Sequence, residues 1–387
     1  MRAPTSVVAF VDELLEKAVA RGASDIHLES TESGLRIRFR IDGVLYDQEM
    51  LERSLMAQVI SRLKVLANIN SAEKRIPQDG KFLIPAAQQQ AIDVRVSTFP
   101  SVHGEKMVLR ILDRQRNQIS LVQLGMQAPM LQRFKTVLVS SSGFFLVTGP
   151  TGSGKTTTLY SALSALHSPE KNIVTLEDPV EYYVSGVTQG QIRPEAGFTF
   201  EKGIRALLRQ DPDVLMVGEI RDMQTAQVAL QAALTGHLVL STLHTNDAPS
   251  AIMRLMDMGI EPFLINAAVT GVLAQRLART LCTSCRVQDT STEQERQLLE
   301  RFGLPTQETF HAPGCDACMQ LGYKGRTGIF ELMPMSNQLR ALIVKQPNID
   351  AIYAQAHADG MCTLLQDGID KVKQGRISVL ELARTVC

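Results

Sequence analysis

Residues 144–158, FFLVTGPTGSGKTTT, leave this chain few folds to choose from. An apolar run, a glycine-rich loop and a stretch that continues as a helix follow one another without a break. The loop fits G-x-x-x-x-G-K-[ST], with Gly149, Gly154, Lys155 and Thr156 at the fixed positions and Pro150, Thr151, Gly152, Ser153 and Thr157 around them. Glycines let backbone N–H groups close around an anion without Cβ interference. The helix that follows points its positive dipole end at the same anion. Lys155 is spaced to reach the β/γ-phosphates of a nucleotide such as ATP, and the Thr156 hydroxyl to ligate Mg²⁺. A strand feeding such a loop belongs in a parallel sheet, so the rest of the chain is expected to supply more strands of the same kind.

It does. Residues 172–176 form an apolar, β-branched run ending at Glu177, residues 213–217 lead to Glu219, and Leu238–Leu243 leads to His244. Strands alternating with helices, with polar groups at the strand C-terminal ends, predict a doubly wound α/β layout with the ligand at that edge. Glu177, Glu219 and His244 are then expected to converge on the nucleotide held by Lys155. A phosphate-loop enzyme needs an acid that orients water or holds the metal; spacing alone does not rank Glu177 against Glu219. Asp commonly precedes the second acid, but Gly218 stands here, so Mg²⁺ contact is expected through Thr156 and water. His237, seven residues before His244 and flanking the same strand, is a further candidate.

The first hundred residues read differently. Val7–Ala20 has helical periodicity and ends at Gly22, a suitable C-cap. Residues 25–29 and 35–41 alternate, Asp42-Gly43 marks a hairpin into 44–46, residues 50–68 return to helical spacing, and 92–98 and 106–112 are strands again. This predicts an α+β module over 1–115, a polar linker over 116–128, and the α/β domain over 129–387. Two or three domains suit 387 residues. Arg36, Arg38, Arg40, Arg95 and Arg110 alternate with apolar residues on these strands, and a solvated sheet face accounts for the first three.

Cys282-x-x-Cys285 and Cys315-x-x-Cys318 are separated by 29 residues. Each pair can fold two thiolates onto one ion, and together they complete a tetrahedral S₄ shell, so a closed structural Zn²⁺ site is expected within 278–325. Cys362 and Cys387 stand alone. Beyond, 335–387 reads as three short helical stretches broken by Pro347, Gly360 and Gly375. Lys+Arg and Asp+Glu are both 40, which argues against a chain whose task is to coat nucleic acid. The N-terminus lacks the features of a secretory signal and no long apolar run is present, so a cytoplasmic protein is expected.

The ordered set of motifs resembles the secretion ATPase superfamily, specifically the GspE/PilB-type traffic ATPases of type II secretion and type IV pilus assembly. GPTGSGKTTTLY is similar to their Walker A, TLEDPVEY to their Asp box, RALLRQDPDVLMVGEIRD to their Walker B with the stretch before it, and TGHLVLSTLHTNDA to their His box. GASDIHLE, RFRIDG and VSTFPSVHGEKMVLRIL resemble the PAS-like module beside the ATPase core, and the cysteine quartet is similar to that of assembly and secretion members and absent from retraction-type relatives.

The resemblance implies a RecA-like P-loop core preceded by a PAS-like domain, with a zinc insert and C-terminal helices. It implies a homohexamer, peripheral to the inner membrane, that hydrolyses ATP to drive a pilus or pseudopilus through a membrane platform protein. Arg95 and Arg110, fifteen residues apart, match strand arginines that reach the γ-phosphate as arginine fingers. Family members carry a further N-terminal docking domain, whereas here the PAS-like module begins almost at residue 1, so recruitment by the usual cytoplasmic partner is not expected in its usual form. A pilus-retraction ATPase, a RecA-like DNA motor and a nucleotide-gated scaffold are the alternatives.

Overall fold

The structure, a computed structural model, describes residues 6–85, 91–112, 119–288, 292–304, 309–345 and 348–386. Pro347, Cys387 and part of the expected linker lie outside them. The chain divides into two compact units, Met1–Asn117 and Gln118–Cys387.

In the first unit, helix α1 (Val7–Ala20) leads into strands β1 (Ala23–Ser30), β2 (Gly34–Ile41) and β3 (Val44–Glu52). Helix α2 (Arg53–Leu66) and strands β4 (Gln78–Ile84), β5 (Ile92–Ser101) and β6 (Gly104–Leu112) follow. The six strands form one antiparallel sheet in the order β3-β2-β1-β6-β5-β4. Alternation does the sorting. Ile26, Leu28, Ile37, Phe39, Val94, Val96, Met107 and Leu109 are buried on one face, with the strand arginines on the other.

Two differences from the sequence reading appear here. Strand β3 runs to Glu52, so residues 50–52, expected to be helical, are extended. Strand β4 was not expected at all, because an edge strand buried on neither face shows no clear hydrophobic period.

The second unit opens with helix α3 (Ala128–Leu138), strand β7 (Gly143–Thr148) and helix α4 (Lys155–Leu166). Then come β8 (Ile173–Glu177), β9 (Thr188–Gln191), α5 (Phe200–Leu207), β10 (Val214–Val217), α6 (Met223–Leu234) and β11 (Leu238–Leu243). Helices α7 (Ala248–Asp257) and α8 (Pro262–Ala268) precede the long strand β12 (Val269–Leu281). The short strands β13 (Val287–Gln288) and β14 (Phe310–His311) flank helix α9 (Glu293–Arg301), and β15 (Tyr323–Pro334) follows. The end is α10 (Asn337–Ile343), α11 (Ile349–Ala358), α12 (Leu364–Lys373) and α13 (Val379–Val386). The C-terminal part thus holds four helices among the described residues, not three.

The main sheet has the order β15-β12-β7-β11-β10-β8-β9. Every neighbouring pair is parallel except β12 with β15 at one edge. All six residues of β7 are buried, and they divide between two cores. Phe144 and Leu146 pack into one, with residues of α6, α7 and α8, and Phe145 and Val147 into the other, with α3 and α4. A strand buried on both faces explains why the run before the loop is continuously apolar. No helix among the described residues is long and apolar enough to cross a membrane.

Candidate active site

The loop between β7 and α4 is built as its residue types require. Gly149 has φ +149°, and a Cβ there would lie 2.5 Å from both the Gln275 carbonyl oxygen and the Ser153 hydroxyl. Gly154 caps α4 in the left-handed region at φ +87°. Lys155 begins the helix, and its ammonium donates to the carbonyls of Gly149 (2.7 Å) and Pro150 (3.1 Å). Burial pulls that ammonium down to about 8, against the favourable pull of Glu219 and with a smaller push from Arg276. The buried Ser153 hydroxyl has no hydrogen-bond partner among the described residues.

Two residues outside the motif brace the loop. Gln275, buried on β12, donates to the Ser153 carbonyl (2.5 Å) and accepts from Thr158 (2.7 Å). Thr148, the last residue of β7, donates to the Leu243 carbonyl and accepts from the Thr245 N–H (2.9 Å), which ties the loop to the end of β11. No local signal marked Gln275: it comes from a strand more than a hundred residues later.

Both carboxylates singled out from the sequence reach this sheet edge. The Gly218 N–H donates to the Leu176 carbonyl at 2.8 Å, so Glu177 and Glu219 leave neighbouring strands side by side. Their surroundings differ. Glu219 is partly open: one oxygen lies 2.5 Å from Arg221, the other 3.5 Å from His244 Nε2, and its charge is felt by Lys155. Glu177 is buried, accepting from Thr175 (2.5 Å), Gln189 (3.2 Å) and the Tyr160 hydroxyl. Burial raises its proton affinity, only partly opposed by those donors.

His244 stands with Glu219, but His237 does not. It sits at the other end of β11, its Nδ1 2.9 Å from the Ala232 carbonyl oxygen and its own carbonyl accepting from Gly143 at the start of β7. Six residues of extended strand separate the two histidines by about 20 Å. The structure therefore brings His244, and not His237, to the end of β11 beside the phosphate loop.

In the first unit, Arg95 on β5 and Arg110 on β6 are direct cross-strand partners. Their spacing is symmetric about the turn that pairs Ser101 with Gly104. The same row continues through Lys81 on one side and Asp25 and Arg40 on the other. Asp25 opposes two of the cations, with Arg110 at 3.0 Å and Arg40 at 3.7 Å. Arg36 and Arg38 pair instead with Asp47 (2.6 Å) and Glu29 (2.8 Å), as a solvated face would.

The four cysteines form a cluster of their own. The Sγ atoms of Cys282, Cys285, Cys315 and Cys318 all lie within 4.8 Å of one another, and none of them is in a disulfide. Sγ pairs Cys282–Cys315 and Cys285–Cys318 are 3.9 Å apart, and Cys315–Cys318 are 3.8 Å apart.

Known proteins resemble this chain over nearly its whole length. The family model described as Type II/IV secretion system protein matches residues 2–384. The Type II secretion system ATPase E of Vibrio cholerae is 47% identical over 378 residues, 98% of this chain and 75% of that one. The type II secretion system protein E of Dickeya dadantii is 48% identical, with the same coverage. The type IV pilus assembly ATPase TfpB of Acinetobacter baylyi is 45% identical over 98% of this chain and 65% of its own length. Among solved structures, the pilus retraction motor PilT with bound ADP superposes with a TM-score of 0.63 at 25% identity over 96% of both chains. The Legionella pneumophila ATPase DotB gives a TM-score of 0.73 at 20% identity over 99% of this chain and 97% of that one, a likeness of fold. A phosphate loop with two acids at its sheet edge and close identity to secretion ATPases agree: the chain belongs to the type II/IV secretion system protein family and is an ATPase of that family.

Proposed function

We propose that this chain is the Mg²⁺-dependent, cytoplasmic motor of a type II secretion pseudopilus or a type IV pilus. It works as a homohexameric ring held peripherally at the inner membrane by a platform protein. The observation that carries the hydrolytic part is the grouping of Lys155, Glu219 and His244 at one sheet edge, with Glu177 ending the strand next to that of Glu219. Lys155 holds the β/γ-phosphates. The orphaned Ser153 hydroxyl and the open space beside Gly152, where a Cβ would meet nothing within 4 Å, fit a phosphate group. Thr156, at the first turn of α4, is placed to hold Mg²⁺, which supplies charge neutralisation on the phosphates. Glu219 orients the hydration around that site. Glu177, with its raised proton affinity, takes the proton of the attacking water.

Arg95 and Arg110, like charges held opposite each other, offset charge on the transferring phosphoryl group. The four thiolates hold Zn²⁺: about 2.3 Å from the metal, a regular tetrahedron has sulfur edges of about 3.8 Å, matching the separations seen. The names of the relatives support assembly over retraction, and a balanced net charge gives a DNA motor no support.

The test is a deletion strain complemented with wild type or with Lys155→Ala. Wild type should restore secretion or pilus extension and Lys155→Ala should not. A deletion that leaves assembly intact and abolishes only retraction would refute the assembly role.

A further inference from the structure

Tyr160 lies on the second turn of α4, five residues after Lys155, and is buried against Tyr182 with ring centroids 4.6 Å apart. A buried tyrosine hydroxyl needs an acceptor, and a backbone carbonyl commonly serves. Here the acceptor is Glu177, the acid at the end of β8. The Tyr160 oxygen in turn lies 3.4 Å from the Glu181 N–H and from the Gln189 side-chain amide. Gln189 also donates to Glu177 and to the Tyr182 carbonyl. One O–H therefore links the helix that starts at the phosphate loop to the acid at the end of β8, which is separated from β7 by two strands, β11 and β10.

We propose that Tyr160 is a positioning residue, which fixes the orientation of Glu177 from the phosphate-loop helix and acts through Glu177 rather than on the nucleotide. This rests on the assignment of Glu177 as proton acceptor. A shift of α4 on nucleotide binding or release then moves the donor that holds the acid. The groups facing Glu177 are Tyr160 from α4 and Glu181 and Tyr182 from the segment after β8. Glu181 opposes the negative charge on Glu177, while Tyr160, Thr175 and Gln189 favour it. Removing the Tyr160 hydroxyl leaves the carboxylate with two donors and raises its proton affinity.

The experiment is steady-state ATP hydrolysis by the assembled full-length ring as a function of pH, for wild type, Tyr160→Phe and Glu177→Gln. Tyr160→Phe keeps the ring packing. It should leave KM for ATP within about twofold, lower kcat on the order of tenfold, and move the acid limb of kcat up by about one pH unit. The sign follows because the active form is the carboxylate. Glu177→Gln should be inactive at every pH. Fluorinated tyrosine at position 160, a stronger donor in the same fold, should move the acid limb the opposite way, and serves if Tyr160→Phe fails to assemble. If Glu177→Gln retains activity, the assignment of Glu177 is wrong. If Glu177→Gln is dead while both changes at 160 leave the acid limb in place, the role of Tyr160 is refuted and its hydroxyl is only a satisfied core group.

Discussion

Gln275→Met is the sharpest test of how the phosphate loop is held. The substitution keeps length and volume and removes both polar ends of a fully buried side chain. It leaves the Ser153 carbonyl, now 2.5 Å from Gln275 Nε2, and the Thr158 hydroxyl, 2.7 Å from Oε1, without those partners. Each orphaned buried group costs about 1–3 kcal/mol. Methionine regains part of this because it buries apolar surface in place of an amide. A net loss of about 2 kcal/mol follows, which for a domain of this size lowers Tm by about 4–8 °C. The loop also loses an anchor at the residue just before Gly154, so ordering it around phosphate costs more, and KM for ATP should rise about tenfold. Differential scanning calorimetry and initial-rate kinetics measure the two effects. A Tm within about 1 °C of wild type together with an unchanged KM would show that β12 does not brace the loop, and the reasoning would fall.

Three further outcomes are expected. Because burial holds Lys155 down at about 8, the free enzyme loses its phosphate-binding charge as pH rises through that value, so kcat/KM for ATP should fall above it; Lys155→Arg, charged throughout, should show no such basic limb even at low activity. Arg110→Ala, assayed in the assembled ring, should lose on the order of 10³-fold in kcat, and normal turnover would remove the arginine-finger assignment. Metal analysis of the purified protein should find about one zinc per subunit, and Cys282→Ser should lose it together with several degrees of Tm; a metal-free preparation with an unchanged melt would refute the site.

Much of the site was legible because phosphate chemistry restricts residue type so tightly. A buried strand, two glycines and a lysine at set spacing have one common physical reading, and acids at the ends of later buried strands follow from parallel topology. What was not legible depends on contacts between distant segments. Gln275 shows no motif, only a place on the strand next to β7. Tyr160 lies within a recognised motif, but its acceptor is known only once α4 and β8 pack. The separation of His237 from His244 was legible too: residues seven apart across an extended strand stand at its opposite ends, however similar their polar neighbours look. Strand β4 escaped because its place at the sheet edge is set by β5, not by a period of its own.

The row Arg40, Asp25, Arg110, Arg95, Lys81 has a thermodynamic consequence for the first unit. Like charges directly opposite on a sheet are destabilising, by a few tenths of a kcal/mol or more per pair. The sheet folds in spite of the like-charge pairs Lys81–Arg95 and Arg95–Arg110 within this row. An anion that settled on it would relieve the repulsion, and by mass action the stability of the folded unit would grow with the logarithm of the anion concentration above its Kd. The melting temperature of the first unit should therefore rise as a polyanion is added, and a melt unmoved by polyanion would show that the row binds none.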